Sequence, residues 1–449
     1  MALIRRRYYI WLARAYLKRW KKTIFTSIFL GGIIFFILFF ILDFYLIPSF
    51  EKKIQKIGYV GTYSTYNLPE KVLKDVSFGL TYVGEDGKVK PAAAYRWQVK
   101  NDGKDYVFYL KKGQYFHDNK ELTAKNININ FKDVKKKIID DYTIDFVLKD
   151  PYSPFLVSVS RPIFEGNFQG LGESRIKKIE SESGFVKSMV LENVKNPSFK
   201  KIIYFYPTQD ALKMAFALGE VDYIYGVSNA NLDKFVISSW KNAKATNSID
   251  YSELVSLFYN NSDSTLSNKK VRQALNFATP ARFAEGERAY SPISPKSFYY
   301  SKPPNSGISD IDLAKTTLDS IKDTKLKEVE ISTPEDLVGT ASLIRDIWTK
   351  LDIKVKVKII QEIPNNYQVL LYPIKLPIDP DQYTLWHSDQ VNNIVHYKNL
   401  RIDKLLEDGR TFTDPEKRFS IYSDLQKYLT DDVPASFLYF PKKLIIERN

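Results

Sequence analysis

The sequence predicts an α/β protein carried behind one N-terminal transmembrane helix. Three observations predict it: a recurring strand–helix–strand cadence, an uncharged apolar run near the N-terminus, and a one-sided cluster of basic residues before that run. With 449 residues, 44% of them hydrophobic, the chain can fill two sizeable cores. It has no cysteine, which excludes disulfides, thiolate metal sites, a lipid-modified cysteine and a cysteine nucleophile.

The apolar run, Thr23 to Leu42, reads TIFTSIFLGGIIFFILFFIL and is about the length that spans ~30 Å of hydrocarbon. A basic tail, residues 1–22, precedes it with Arg5, Arg6, Arg7, Arg14, Lys18, Arg19, Lys21 and Lys22 and no acid. Those eight charges are most of the net +14; the other 427 residues carry +6, interspersed with acids as on a solvated surface. A nucleic-acid function is therefore not expected. The distal flank, Asp43 to Pro48, is bulky where a cleaved signal peptide needs small residues. We expect an uncleaved signal anchor over 23–47, its basic side cytoplasmic and the chain from 48 onward extracytoplasmic. Tyr8, Tyr9, Trp11, Tyr16 and Trp20 suit a segment at the inner membrane face. One span forms no pathway, so transport requires partner subunits.

Two later stretches show the cadence most clearly. In Lys201–Tyr225, Ile202–Phe205 reads as a strand, Thr208 caps a helix through Leu218, Gly219 ends it, and Val221–Ile224 resumes strand character. In Glu328–Gln361, Val329 and Ile331 begin a strand and Thr333 is the expected cap before Pro334. A helix then runs to Trp348, and Ile353, Val355, Val357 and Ile359 alternate as a strand. Strand–helix–strand at this spacing predicts a right-handed crossover.

Tyr95–Phe131 is the most distinctive segment. Trp97 and Val99 alternate with polar residues, Asn101-Asp102-Gly103 supplies a turn, and Tyr106, Phe108 and Leu110 alternate again. Gly113 breaks the chain, and Thr123 is placed to cap the segment beginning near Ala124. The run Asp102-Gly103-Lys104, Tyr106, Phe108, Leu110, Lys111-Lys112-Gly113, Phe116-His117-Asp118 and Leu122-Thr123-Ala124 resembles a signature of family 5 extracellular solute-binding proteins, the peptide-type receptors of ABC importers. Asn119 stands where that family usually has Gly, a mild departure because Asn tolerates left-handed backbone. The resemblance continues through Ala211, Ala215, Leu218, Gly219, Glu220 and Asp222. It resumes in Leu257–Asn260 with Val271-Arg272-Gln273-Ala274-Leu275, in the proline-rich Ser291–Pro295, in Asp312–Lys315, and in Pro377–Asp381. It covers roughly 57–441.

The resemblance implies a two-lobed, periplasmic-binding-protein-like fold with ligand held between the lobes. We expect a first lobe over 48–250 completed by 420–449, and a second over 251–419. Only ten residues separate Phe131 from the strand-like Tyr142–Leu148, where the family usually carries a longer helical insertion, and the chain stops soon after Phe440. The first lobe is thus expected to be reduced.

A peptide offers an ammonium group, a carboxylate and a backbone, complemented by an acid, a cation and strand-like main chain. By the resemblance, Asp379 and Asp381 are candidates for a peptide amino terminus; Asp379-Pro380 as a simple turn is the plain alternative. Trp386, His387, Tyr397 and Asn399 follow, and Asn260, Tyr63 and Ser64 are placed to border the cleft. Trp386 is equally suited to a lobe core. His117, His387 and His396 have no metal-ligand spacing, and no cofactor, phosphate loop or nucleophile–base pair is readable. Glu220 and Asp222 suit a helix–strand junction, and Gly84–Gly87 a turn.

The expected function is the substrate-binding component of an ABC importer, partnered by permease and ATPase subunits, and not an enzyme. A membrane-tethered sensor and, further off, a surface hydrolase are the rivals.

Overall fold

The computed structural model describes residues 2–41, 54–233, 235–304, 306–321 and 326–448. Two compact units emerge, 1–54 with 196–200, and 55–195 with 201–449. The first carries helices α1 (Ala2–Arg19) and α2 (Lys21–Ile41). The 20 residues Lys21–Phe40 are long and apolar enough to cross a membrane, and Phe25, Ile28, Phe29 and Phe36 are exposed along the helix. The bulky flank from Asp43 to Pro48, on which the uncleaved anchor was argued, lies outside the described residues.

The larger unit opens with β1 (Ile54–Val60), α3 (Glu70–Val76) and the short hairpin β2 (Thr81–Val83) and β3 (Val89–Pro91). Next come β4 (Ala94–Lys100), β5 (Asp105–Leu110), β6 (Val134–Asp140), β7 (Thr143–Leu148) and α4 (Phe155–Ser158). After these lie β8 (Ser174–Glu182), β9 (Phe185–Asn193), β10 (Lys200–Tyr206), α5 (Gln209–Leu218), β11 (Tyr223–Val227), β12 (Asn231–Leu232), β13 (Phe235–Val236) and β14 (Ala243–Ile249). The remainder is β15 (Glu253–Tyr259), α6 (Lys269–Phe277), β16 (Gly286–Arg288), α7 (Ile311–Asp319), β17 (Glu328–Thr333), α8 (Val338–Trp348), β18 (Lys354–Ile359) and β19 (Val369–Lys375). It ends with α9 (Tyr383–Trp386), α10 (Leu400–Thr411), α11 (Pro415–Asp432) and β20 (Ala435–Arg448).

The signature segment folds as its residues predict. β4 and β5 pair as Trp97↔Phe108 and Val99↔Tyr106, and Tyr106, Phe108 and Leu110 are buried. Asn101, Asp102 and Gly103 all take positive φ to turn the chain. Asn119 has φ 66°, so it occupies the left-handed region a glycine would otherwise fill. Thr123 and Asn126 close a capping box on one 3₁₀ turn. Where the expected insertion is missing, the chain returns at once as β6, hydrogen-bonded to β7. Its exposed Lys135, Lys136 and Lys137 guard the sheet edge against further pairing.

The two crossover units also form. The Thr208 Oγ1 accepts from the Ala211 amide at 3.1 Å, and Gly219, φ 78°, ends α5. β17 and β18 are parallel neighbours joined through α8, whose Trp348 is fully buried and donates to the Leu275 carbonyl. The cap expected at Thr333 falls elsewhere: Thr333 ends β17 opposite Ile359, and a 3₁₀ turn, Glu335–Leu337, leads into α8.

All but the hairpins and the β4-β5-β7-β6 sheet belong to one sheet, ordered β18-β17-β19-β15-β20-β11-β1-β10-β9-β8, with β14 and β16 also on β20. β20 changes partners along its length. Ala435–Pro441 pairs with β15 and β16, whereas Lys442–Arg448 pairs with β14 and β11. The chain crosses between the halves at Ile249–Glu253 as well, where the Asp250 amide donates to the Pro441 carbonyl. α11 packs Tyr422, Leu425 and Leu429 into the core that holds Phe258 and Trp386. The Arg272 side chain of α6 gives four hydrogen bonds to the carbonyls of Leu266, Ser267, Asp432 and Val433, a cation on the C-terminal end of α11.

Asn119→Gly should leave unfolding stability unchanged or slightly raised, whereas Asn119→Val should lose about 1–2 kcal/mol to left-handed strain. Urea melts of residues 48–449 would check this; equal losses for both would refute the backbone account.

Candidate ligand-binding site

Beside the crossing segments, two connected chambers open between the halves of the large unit. An outer chamber of about 560 Å³ is walled by Lys74 and the β2–β3 turn on one side. Tyr251, Ser252, Ser294, Lys296 and Leu376–Ile378 form its other side. An inner chamber of about 290 Å³ shares Val83, Gly87 and Ile378 with it, and is walled by Trp97, Tyr106, Leu156, Phe298, Tyr299, Asp379 and Arg418. A larger groove, about 720 Å³, lies among β1, β9 and β10 with Phe185, Tyr204 and Tyr206. Its lining comes from 56–220 alone, so it cannot sense the two halves together.

The walls are placed by local chemistry. The turn Gly84–Gly87 closes β2–β3 through the Gly84 amide and Lys88 carbonyl, 2.9 Å apart. Gly87 has φ 69°, and a Cβ there would strike the backbone of Lys296 and Phe298 across the cleft. Lys88 stands over the Phe298 ring at 4.2 Å and Lys296 over Tyr251 at 5.2 Å. Neither lysine forms an ion pair among the described residues.

Arg418 and Asp379 form the inner wall. Arg418 Nη2 and Nη1 donate to the two Asp379 oxygens at 2.8 and 3.1 Å, and both side chains are over nine-tenths buried. Arg418 also donates to Tyr299 Oη and the Gly409 carbonyl. Burial works against its charge, but Asp379 overcomes this and holds the guanidinium protonated. The halves touch here too: the Ser153 amide donates to the Arg410 carbonyl at 2.7 Å, and Tyr152 lies beside the Arg410 guanidinium.

Of the nine candidate ligand-binding residues named from sequence, Asp379 alone lines either chamber, with both oxygens engaged by Arg418. Asp381 lies behind it, 3.1 Å from Arg410 Nε; burial raises its carboxyl pKa despite that cation. Trp386 is fully buried and donates to Gln382. His387 is buried against the Tyr383 ring, accepts from the Asp389 amide and lies 3.5 Å from Glu407. Tyr397 and Asn399 both donate to Asp432, and Asn399 caps α10. Asn260 donates to the Tyr367 carbonyl. Tyr63 packs on Phe205 and donates to the Val60 carbonyl, and Ser64 turns the chain through Asn67. These eight hold loops and cores behind the cleft. Among the wall residues sequence reasoning passed over are Lys88, Tyr251, Lys296, Phe298, Tyr299 and Arg418. The run Lys296-Ser297-Phe298-Tyr299, just past the proline-rich loop, was the available signal.

The model of the bacterial extracellular solute-binding proteins, family 5 Middle, matches residues 88–374. The oligopeptide-binding protein AppA of Bacillus subtilis is 24% identical over 457 residues, covering 81% of this chain and 80% of the relative. The probable D,D-dipeptide-binding periplasmic protein DdpA of Escherichia coli is 22% identical, covering 84% and 83%. Among solved structures, NikZ of Campylobacter jejuni in complex with Ni(L-His) superposes with a TM-score of 0.69 at 20% identity, over 88% of this chain and 94% of that one. B. subtilis AppA in complex with a nonapeptide gives 0.65 at 22% identity, over 89% and 95%. The fold is thus the two-lobed α/β solute-binding fold.

Two measurements test the site's electrostatics. Arg418→Met should destabilise residues 48–449 by about 3–5 kcal/mol in urea unfolding, with Asp379→Leu added to it restoring most of the loss. Burial alone would raise the Asp432 carboxyl, but Lys269, Tyr397 and Asn399 hold it below the usual range. Its stabilisation is therefore present above about pH 4, the ordinary Asp value, and lost as pH falls through the lower folded value. Asp432→Asn should flatten the fall of Tm in that acid window; an unchanged slope would refute the role.

Proposed function

This chain belongs to the bacterial extracellular solute-binding proteins of family 5, and from that premise we propose that it is the substrate-binding component of an ABC importer. It would be held at the outer membrane face by α2 as an uncleaved anchor, with α1 cytoplasmic. Its ligand would be an oligopeptide or similar solute, delivered to permease subunits whose partner ATPase supplies the energy. The lobes would comprise 55–250 with 442–448, and 251–441, instead of the 420–449 return expected from sequence, because α11 and Ala435–Pro441 pack and pair with second-half elements. The hinge would lie where β14 leads into β15 and where β20 changes partners. The observation that carries this reading is the two-sided lining of the chambers: Lys88 and Gly87 face Lys296 and Phe298 across the cleft. A ligand touching both walls favours the closed form by its differential affinity for it.

A second reading, a tethered sensor, draws support from α1, a basic 18-residue helix preceding the span. A hydrolase has less support, since Asp379 and Asp381 each face an arginine instead of each other.

Purified from native membranes in mild detergent, the full chain should carry permease and ATPase subunits with it. A kinase or chemotaxis partner instead would favour the sensor. Bound solute, identified by mass spectrometry, should raise Tm and compact the protein in solution scattering. Gly87→Ala should weaken that binding roughly tenfold or more by wedging the cleft. Unchanged affinity would refute the closed-cleft geometry.

A further inference from the structure

The inner chamber differs in chemistry from the outer one, and the difference selects a ligand. Trp97, Tyr106, Leu156, Phe298 and Tyr299 present rings and methyl groups. Three of the polar groups in these walls are already engaged. Tyr106 Oη donates to the Tyr152 carbonyl at 3.0 Å, Tyr299 Oη accepts from Arg418 at 3.2 Å, and Asp379 is held by Arg418. A polar ligand side chain entering here would exchange its water for mostly ring and methyl surface, a cost that discriminates against it. The volume fixes the size as well: an apolar cavity of ~150 Å³ holds benzene, so about 290 Å³ takes one large side chain and not a second residue.

Charge sits at the mouth. Lys88 lines the inner chamber and Lys296 the outer one, each poised over a ring. Glu416 lines the inner chamber and Glu85 the outer, and neither forms an ion pair among the described residues. We propose that the inner chamber is a specificity pocket for one aromatic or large aliphatic side chain of a short peptide, whose free carboxylate is met by Lys88 and Lys296. The inference rests on the peptide-receptor reading and narrows it: side-chain character, not backbone alone, decides which peptide closes the lobes.

Calorimetric titration of the full chain in nanodiscs with Ala-Phe, Ala-Gln, Ala-Gly and amidated Ala-Phe tests this. Ala-Phe should bind about 10- to 100-fold tighter than Ala-Gly, the effect of burying one such side chain, with Ala-Gln no better than Ala-Gly. Leu156→Trp, which fills the chamber, should erase the preference. If that variant fails to fold, Phe298→Ala on the opposite loop should reduce it instead. The Lys88→Ala, Lys296→Ala double variant should weaken Ala-Phe and leave its amide unaffected. Equal affinity for all the dipeptides, with closure retained, would overturn the pocket and leave the receptor reading standing. No heat and no compaction with any of these dipeptides would overturn the pocket; the receptor reading would fall only if the chain purified from native membranes also carried no solute and no permease.

Discussion

One strand carries the constraint on which the rest depends. β20 donates its first seven residues to one half of the sheet and its last seven to the other, with the change of partners at Pro441–Lys442. A single backbone cannot slip in one half without shifting register in the other, because each slip of one residue reverses every side chain. Phe437, Leu438, Tyr439 and Phe440 are buried, so slippage would expose a core. The second crossing, at Ile249–Glu253, runs beside the first and places Tyr251 and Ser252 on the cleft. The segments that connect the halves thus also line the chamber that opens between them.

The Arg418–Asp379 pair fixes the wall opposite. A buried ion pair is weak evidence for stability, since desolvating two charges offsets most of their attraction. Its geometry here does something more specific. The bidentate fork holds α11 to the Asp379-Pro380 turn, and the same guanidinium orients Tyr299. An acid that suggested an ammonium-binding group in sequence is in this way committed to the scaffold. The proposed peptide would then meet the ring faces and the mouth lysines.

Much of the fold was legible because its devices are local. Asn119 in place of Gly, Thr208 with Gly219, and Trp97 alternating with Val99 each report a backbone requirement within a few residues, and each is met. The missing insertion after Phe131 was legible as a length, but its replacement by the lysine-bearing edge strand β6 was not, since three consecutive lysines carry no strand signal. The site was less legible for a related reason. Its walls are assembled from residues near 74, 83–106, 153–157, 251–252, 294–299, 376–380 and 413–418, and no period or spacing links them. Trp386, Tyr397 and Asn399 drew notice as conspicuous side chains in the right region. Their hydrogen bonds to Gln382 and Asp432 show how such residues support loops instead. Motifs in this chain mark where the backbone must turn; the cleft is lined by the residues those turns bring together.

The contacts that cross the cleft suit the proposed receptor, which must open again. The Ser153 amide and hydroxyl reach the carbonyls of Arg410 and Gly409, and Gly87 lies against the Lys296–Phe298 backbone. Hydrogen bonds of this neutral kind contribute about 0.5–1.5 kcal/mol each. A latch built from a few of them holds closure near balance, where a ligand's differential affinity of a few kcal/mol is enough to shift the population. A large apolar interlobe contact would instead lock the halves together whatever the cleft held. The inner chamber gathers the rings of Trp97, Tyr106, Phe298 and Tyr299, and the proposed closure leaves room among them for a ligand side chain.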